Sequence, residues 1–385
     1  MQNATKVHAD ALVIDTHADT PQRFVDEGWD FTAPLGEGML NLETARQGNL
    51  AAEFFAIWVE PAEWRGRYAF RTLQLIDGVY EQLRRHPQEM RLGLSAEDIL
   101  AARREGVFCV LLGLEGGHSI EADLGLLRVY HRLGVRYMTL TWANSNEWAD
   151  SSGDINDSKV EHHGGLTDFG RDVVREMNRL GMMVDVSHVS DATFWDVLQT
   201  TRAPIIASHS SARALTHSPR NLTDEQLRAI ATNNGVVMVN FYASFIDESW
   251  RQAWSATSVE REALYFHAAA PYRDRNEPVP YHVMLKVDRD FYAEHIQSTV
   301  KLPSIDSLID HFDHVAKVAG IDHVGIGSDF DGFSLLPQGI ASAADLPAIT
   351  EALMSRGYTG DQMKKILGGN AMRVFTEVQA EASRS

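Results

Sequence analysis

A chain of 385 residues in which 44% of side chains are hydrophobic can bury a large core, which excludes an intrinsically disordered protein. A formal charge of -18 argues against binding nucleic acid or anionic lipid, and solubility alone would account for so acidic a surface. The single cysteine, Cys109, excludes an intramolecular disulfide and a cysteine-rich zinc site, and its place in an apolar run makes it a small buried hydrophobe.

Residues 1–10 are polar and lack the apolar centre of a signal peptide. No run is long and apolar enough to span a bilayer, and the polar stretch 377–385 carries no lipid-anchor signal. The expectation is a soluble, cytoplasmic protein with neither membrane nor nucleic acid as partner.

Short apolar runs alternate with amphipathic helical patterns along the chain. The first run, 11–15, leads into Asp15-Thr16-His17-Ala18-Asp19-Thr20-Pro21, and the irregular, glycine-rich stretch 22–46 is expected to loop over its end. The second, 50–59, precedes a helix with Leu73, Ile76, Val79, Tyr80 and Leu83 at helical spacing, stopped by Pro87. A short helix fits 95–104, with Ser95 as N-cap. Run three, 108–114, ends at Glu115-Gly116-Gly117-His118, and helix 125–133 follows with Gly134 at its C′ position. Run four, 135–141, ends at Trp142 and opens a polar loop, 143–165. Helix 167–180 is capped by Thr167 and ended by Gly181. Run five, 182–186, ends at Ser187-His188, and helix 190–200 leads to run six, 204–207, ending at Ser208-His209-Ser210. Arg220 lies in the following turn, ahead of helix 223–232. Run seven is 235–241. An insertion rich in charge and aromatics, about 243–302, separates it from helix 304–319 and from run eight, 323–326, which ends at Gly327-Ser328-Asp329-Phe330-Asp331-Gly332. Helices at 361–367 and 370–378 close the chain.

Eight apolar runs alternating with helices form the pattern of an α/β fold of the (β/α)8 TIM-barrel type. The rival, a doubly wound open sheet, lacks the glycine-rich fingerprint that would open its first helix. One catalytic domain over 1–385 is expected, with the insertion as a lid, a dimer contact or a surface elaboration.

Function in such a barrel sits at the C-terminal ends of the strands. Those ends carry His17 and Asp19, Glu115, His188, His209 and Asp329. Residues two apart on a strand point to one face, so His17 and Asp19 offer one nitrogen and one oxygen donor to a divalent ion such as Zn²⁺. A His-x-Asp pair or a lone histidine after a strand is common without a metal. Three histidines, an aspartate and a glutamate on one rim are a different matter. They fill two metal sites if a carboxylate bridges them: His17 and Asp19 at one, His188 and His209 at the other, Glu115 between. No lysine lies at a strand end to serve as a modified bridge. Asp329 remains as the acid/base, taking the proton of a bridging water and handing it to a leaving amine, with a plain turn residue as the alternative. Arg220 is the candidate to hold a substrate carboxylate bidentately, with a surface arginine as the alternative.

Taken together, the motifs resemble the membrane dipeptidase (renal dipeptidase) family, peptidase family M19 of the amidohydrolase superfamily. The matching stretches are Asp15-Thr16-His17-Ala18-Asp19-Thr20-Pro21, Leu114-Glu115-Gly116-Gly117 and Tyr137-Met138-Thr139-Leu140-Thr141. They continue with Gly164-Gly165-Leu166-Thr167-Asp168-Phe169-Gly170, Met177-Asn178-Arg179-Leu180-Gly181-Met182 and Asp185-Val186-Ser187-His188. The last are Ser208-His209-Ser210-Ser211-Ala212-Arg213, Pro219-Arg220-Asn221 and Gly327-Ser328-Asp329-Phe330-Asp331-Gly332. The N-terminal loop and the insertion fall outside the resemblance.

The resemblance implies a barrel with two zinc ions per chain, hydrolysis of dipeptides through a metal-bridging hydroxide, tolerance of a D-residue at the C-terminal position, and a homodimer. It implies that His17 and Asp19 hold one zinc and His188 and His209 the other. Glu115 would bridge them, Asp329 shuttle the proton and Arg220 meet the substrate carboxylate. There is one departure. Members of the family carry histidine after the Thr-Leu-Thr of strand four, where it touches the substrate carbonyl, and this chain has Trp142. Indole donates one hydrogen bond but is neither a cation nor an acid near neutral pH. Trp142 itself, Asn144, Asn146 and His163 are the candidates to contact substrate there. The functional expectation is a zinc-dependent dipeptidase, L-Xaa-D-Xaa substrates included. The alternatives are hydrolysis of another small amide, such as an N-acyl amino acid, and a barrel that binds without catalysis.

Overall fold

Strands covered by helices on one side and by each other on the inside must be apolar on both faces. The apolar runs behave this way: every residue of β1 (Val13–Ala18), β2 (Leu50–Trp58) and β4 (Phe108–Glu115) is buried. The structure, a computed structural model, describes residues 3–382. The remaining strands are β3 (Met90–Leu92), β5 (Val135–Thr139), β6 (Met183–Asp185), β7 (Ile206–Ala207), β8 (Val236–Val239) and β9 (Val324–Ile326).

All pairings between these strands are parallel. β4 through β9 pair in chain order, β9 pairs with β1 through Asp15 and Ile326, and β1 pairs with β2. β2 then pairs with β4 from Ala52–Cys109 to Trp58–Glu115, which closes an eight-stranded barrel. This is the expected TIM-barrel α/β fold. β3 is an addition: it pairs only with the beginning of β4 and stands outside the ring.

The helices begin where small polar side chains can satisfy free backbone N–H groups. Ser95 accepts from Asp98 N, Thr167 from Gly170 N, and Ser190 from Thr193 N, each at the head of a barrel helix. Thr223 and Gln226 form a reciprocal capping box ahead of helix Asp224–Thr232. Gly181 ends helix Asp168–Leu180 in the left-handed conformation at φ 71. The C-terminal helix Asn370–Ala382 packs Val374, Phe375 and Val378 against Ile14, Phe54, Leu111, Ile206 and Met238 from five strands, in one buried cluster.

Several local expectations differ from the structure. The stretch 22–46 is bracketed by helices Pro21–Asp26 and Leu42–Gln47, the first opened by a proline whose missing N–H costs nothing at that position. Polar residues near the N-terminus form helix Ala4–Asp10, and helix Leu346–Ser355 precedes the closing helices. On helix Tyr68–Arg85 the buried face runs through Thr72, Leu75, Ile76 and Val79, while Leu73 and Tyr80 are exposed. The insertion is helical: Ala243–Ile246, Glu248–Ser255, Ser258–Arg273 and Tyr281–Phe291. Trp250, Trp254, Phe291 and Tyr292 pack into a small core of its own with Leu335. Among the described residues no helix is long and apolar enough to cross a membrane.

Candidate active site

β1, β4, β6 and β7 deliver His17, Glu115, His188 and His209 to one end of the barrel. Glu115 stands at the centre. One oxygen, Oε2, lies 3.3 Å from His17 Nε2; the other, Oε1, lies 2.9 Å from His188 Nε2 and 3.5 Å from His209 Nε2. Asp19 Oδ2 is 3.6 Å from His17 Nε2. All five side chains are buried, and two overlapping groups, His17–Glu115–His209 and His17–Asp19–Asp329, have donor atoms close enough to share an ion.

The donors fit divalent cations. His17 Nε2 and Asp19 Oδ1 are buried without a hydrogen-bond partner. His188 Nε2 and His209 Nε2 face each other at 2.9 Å, an approach that one shared cation would satisfy for both lone pairs. Burial, with Arg220 nearby, lowers His188 to about 4, and burial, with the charge of His17, holds His209 well below the usual imidazole value, so both imidazoles stay neutral as ligands must be. Burial opposes ionisation of Glu115, but the charge and hydrogen bonds of His17 and contacts from His188 and His209 hold its carboxyl well below the usual range. Burial pushes Asp19 up to about 8, and the neighbouring Glu115 and Asp329 add to it: positive charge is what this cluster lacks.

Three of these groups are oriented by neighbours. His17 Nδ1 lies 2.7 Å from the Tyr137 hydroxyl, which donates to the Thr16 carbonyl at 3.0 Å. Tyr137 reaches there because β4 has Gly113 beside it, where a Cβ would fall 2.0 Å from the ring. His209 Nδ1 lies 2.7 Å from Ser208 Oγ, which donates to Asp185 Oδ2 at 2.6 Å. Both arrangements turn Nε2 toward Glu115. Asp329, at φ 64 just past β9, accepts a 2.8 Å hydrogen bond from Asn240 Nδ2, and burial raises its carboxyl to about 6.

A cavity of about 180 Å³ opens over the cluster, walled by Asp19, Glu115, His188, Asp329, Arg220 and aromatic side chains. Arg220 is held by Ser210 Oγ at 3.3 Å and the His209 carbonyl at 3.1 Å, with its Nε unpartnered. Burial lowers it to about 10, so it is a cation at neutral pH. Trp142 is at this wall, its ring 4.8 Å from Trp58 and 6.3 Å from His188. Asn144 and His163 are not: Asn144 bonds the Ser145 carbonyl, and His163 bonds the Asn146 carbonyl and Asp150 within their own loop. Asn146 caps the same loop, accepting from Trp148 N and Ala149 N. The loop folds on itself because Asp150, fully buried, collects the backbone N–H groups of His163, Gly164 and Gly165.

Several residues at the site were not singled out from the sequence for roles there. Tyr137, Asp185 and Ser208 stand in the motifs quoted above, so a signal existed. Asn240 lies inside run seven, and nothing in the local sequence marks it as a partner of Asp329. Trp58 and Tyr281 complete the aromatic wall, their rings 4.7 Å apart; Tyr281 comes from the insertion and donates to the Gly332 carbonyl. The Trp58 Nε1 is buried and unpartnered.

A closed parallel barrel with histidines and carboxylates gathered at its C-terminal strand ends defines the metal-dependent hydrolase class of barrel. Comparison with known proteins narrows it. The family model "Membrane dipeptidase (Peptidase family M19)" matches residues 1–385. Dipeptidase 3 of Rattus norvegicus is 30% identical over 395 residues, spanning 100% of this chain and 68% of the relative. The crystal structure of the probable dipeptidase PvdM from Pseudomonas aeruginosa superposes with a TM-score of 0.81 at 27% identity, covering 98% of each chain. A metallopeptidase from Rhodobacter sphaeroides, bound to a phosphinate mimic of the dipeptide L-Ala-D-Ala, gives 0.73 at 27% identity, covering 96% of this chain and 100% of that one. The chain belongs to the membrane dipeptidase family, peptidase family M19, and is a metallopeptidase that hydrolyses peptide bonds.

Proposed function

We propose that the chain is a two-zinc dipeptidase that cleaves short L-Xaa-Xaa substrates, L-Xaa-D-Xaa among them. The observation that carries it is the split of Glu115, one oxygen beside His17 and the other beside His188 and His209. One carboxylate placed between two donor groups would bridge the ions that those groups hold. Asp19 joins His17 at the first position, while His188 and His209 form the second. Two divalent ions bound there supply Lewis acidity, which polarises a carbonyl and lowers the pKa of water.

The chain's own residues do the rest. Arg220, charged and with a free Nε, receives the substrate carboxylate. Asp329, on the cavity wall and held by Asn240, takes a proton from the attacking water and returns it to the leaving amine. Trp58, Trp142 and Tyr281 wall the cavity over the reacting atoms and shield them from bulk solvent. With Trp142 in place of histidine, position 142 offers the tetrahedral state no side chain that can carry a positive charge. The Rhodobacter sphaeroides structure supports the dipeptide reading, since the ligand it holds is a phosphinate mimic of L-Ala-D-Ala, a dipeptide with D-alanine at its C-terminal position.

The test is a panel of L-L and L-D dipeptides with an N-acyl amino acid beside them, run on zinc-loaded protein whose metal content is measured. Near two zinc ions per chain and turnover of dipeptides are expected. Turnover of the N-acyl amino acid alone would replace the substrate reading, and a folded chain that holds no metal would remove the two-zinc reading. We propose a homodimer as well, on the apolar side chains Val259, Leu264 and Phe266 that the insertion helix Ser258–Arg273 leaves exposed. Sedimentation at micromolar concentration checks it: a monomer refutes the dimer.

A further inference from the structure

Two stretches outside the family motifs, the loop 27–41 and the insertion helix Tyr281–Phe291, enclose a second cavity of about 410 Å³. It adjoins the cavity over the metal cluster, since Asp19, Tyr281, Leu285 and Phe333 wall both. Arg220, His188 and Trp142 border only the cavity over the cluster. The second cavity therefore opens on the Asp19 side, away from Arg220. On the dipeptidase reading above, a dipeptide with its carboxylate at Arg220 and its scissile carbonyl beside Glu115 would run its N-terminal residue toward Asp19, which walls both cavities.

We propose that the second cavity receives the side chain of the substrate's N-terminal residue and favours bulky, uncharged or basic side chains over small or acidic ones. This rests on the dipeptidase reading above. The volume falls in the range of small-molecule sites, roughly 300–1,000 Å³, and far exceeds what a methyl group fills. Its walls are apolar at Trp29, Met39, Leu285 and Phe333. Its charges are the carboxylates Asp19, Asp26, Glu27, Glu37 and Asp331 against the guanidiniums Arg23 and Arg289; Asp26 is paired with Arg71 at 2.8 Å, and His282 lies beside Glu27 at 3.8 Å.

Each guanidinium already faces a carboxylate. Arg289 pairs with Glu37. Arg23 lies over the Trp29 ring at 3.8 Å, bonds the Leu35 carbonyl at 3.0 Å and sits 3.7 Å from Glu27. Its remaining Nη1 has no hydrogen-bond partner, but it is buried and packed on the backbone of Gly38, where a Cβ would fall 1.8 Å away. An acidic side chain would thus enter a wall in which carboxylates outnumber guanidiniums and the one unpartnered Nη1 is buried against backbone. A basic one meets Glu27, which is partly exposed at the cavity rim.

The test compares kcat/KM for Ala-Ala, Phe-Ala, Lys-Ala and Glu-Ala. The wild-type enzyme is expected to prefer Phe-Ala and Lys-Ala to Ala-Ala and Glu-Ala by at least about tenfold, the discrimination that filling or emptying an apolar pocket gives. His282→Trp, which fills the cavity from a half-exposed helix position, should collapse the Phe-Ala to Ala-Ala ratio by a similar factor. Glu27→Lys, at the rim, should reverse the order of Lys-Ala and Glu-Ala; it keeps the test open if His282→Trp melts at a lower temperature. If all four dipeptides are cleaved and neither ratio moves in its variant, the assignment is overturned. A zinc-loaded wild-type enzyme inert on every dipeptide overturns the dipeptidase reading and this assignment with it.

Discussion

At the scale of single residues, Asp329 and His188 share a feature that their chemistry does not require by itself. Both are non-glycine residues in the left-handed region, at φ 64 and φ 69, a conformation that costs energy and persists only where surroundings over-determine it. For Asp329 the surroundings are the Asn240 amide on its carboxylate and the His17 carbonyl, which accepts its backbone N–H at 3.0 Å. Asparagine tolerates this backbone, so Asp329→Asn should fold, bind its metals and lose turnover by roughly 10²–10⁴-fold, the usual worth of a general acid–base group. Metal analysis beside steady-state kinetics checks it; retained activity would remove Asp329 from proton transfer. Arg220→Lys keeps the charge and loses the planar fork. It should raise KM roughly tenfold, the effect of about 1.4 kcal/mol of lost hydrogen bonding, with a smaller change in kcat.

At the scale of elements, the pairing of β4 with β5 matters more to the site than either strand alone. Gly113 faces Tyr137 across the pair, and the room it leaves lets the phenol reach His17 Nδ1. Tyr137→Phe should weaken metal binding about 10–100-fold by freeing the His17 ring, as loss of a ligand's orienting partner commonly does. Competition with a chromogenic chelator measures this. The pairing of β1 with β2 sets Glu53 opposite Asp15. Glu53 is fully buried and neither of its oxygens has a partner; burial, reinforced by Asp15, pushes its carboxyl well above the usual range. The folded chain therefore binds this proton more tightly than the unfolded chain does. The resulting stability is complete below the ordinary glutamate range and is lost as pH rises toward the folded-state value. Glu53→Gln has nothing to lose, so its melting temperature should gain on that of the wild type between pH 5 and pH 8. A constant difference across that interval would contradict the assignment.

At the scale of the whole molecule, the proposed ligands come from strands far apart in sequence, so cations would tie β1, β4, β6 and β7 together. Ligands that bind only the folded state stabilise it by mass action, by about 2.7 kcal/mol at a free concentration one hundred times Kd. Chelation should therefore lower the melting temperature as well as abolish turnover, and added zinc should restore both. Loss of activity without any change in melting would mean that the ions do not bridge the strands.

The barrel was legible in the sequence because parallel strands buried on both faces must be apolar and must alternate with helices. All eight apolar runs became barrel strands, whereas β3, three residues long and half-buried over two of them, has no such signature. Strand ends are also local features, which is why His17, Asp19, Glu115, His188, His209 and Asp329 could be proposed from the sequence, with Arg220 from the turn after run six. Sequence spacing says nothing of side chains that meet from distant strands. The hydrogen bond from Asn240 to Asp329, the reach of Tyr137 past Gly113, and the self-contained loop that withdraws Asn144 and His163 from the cavity all depend on tertiary contacts. The same holds for the insertion, whose composition suggested a cover but whose packing alone decides that Tyr281 and Leu285 stand over Asp19. Periodicity and strand ends are written in neighbouring residues; cavities and hydrogen-bond partners arise only when distant segments close on one another.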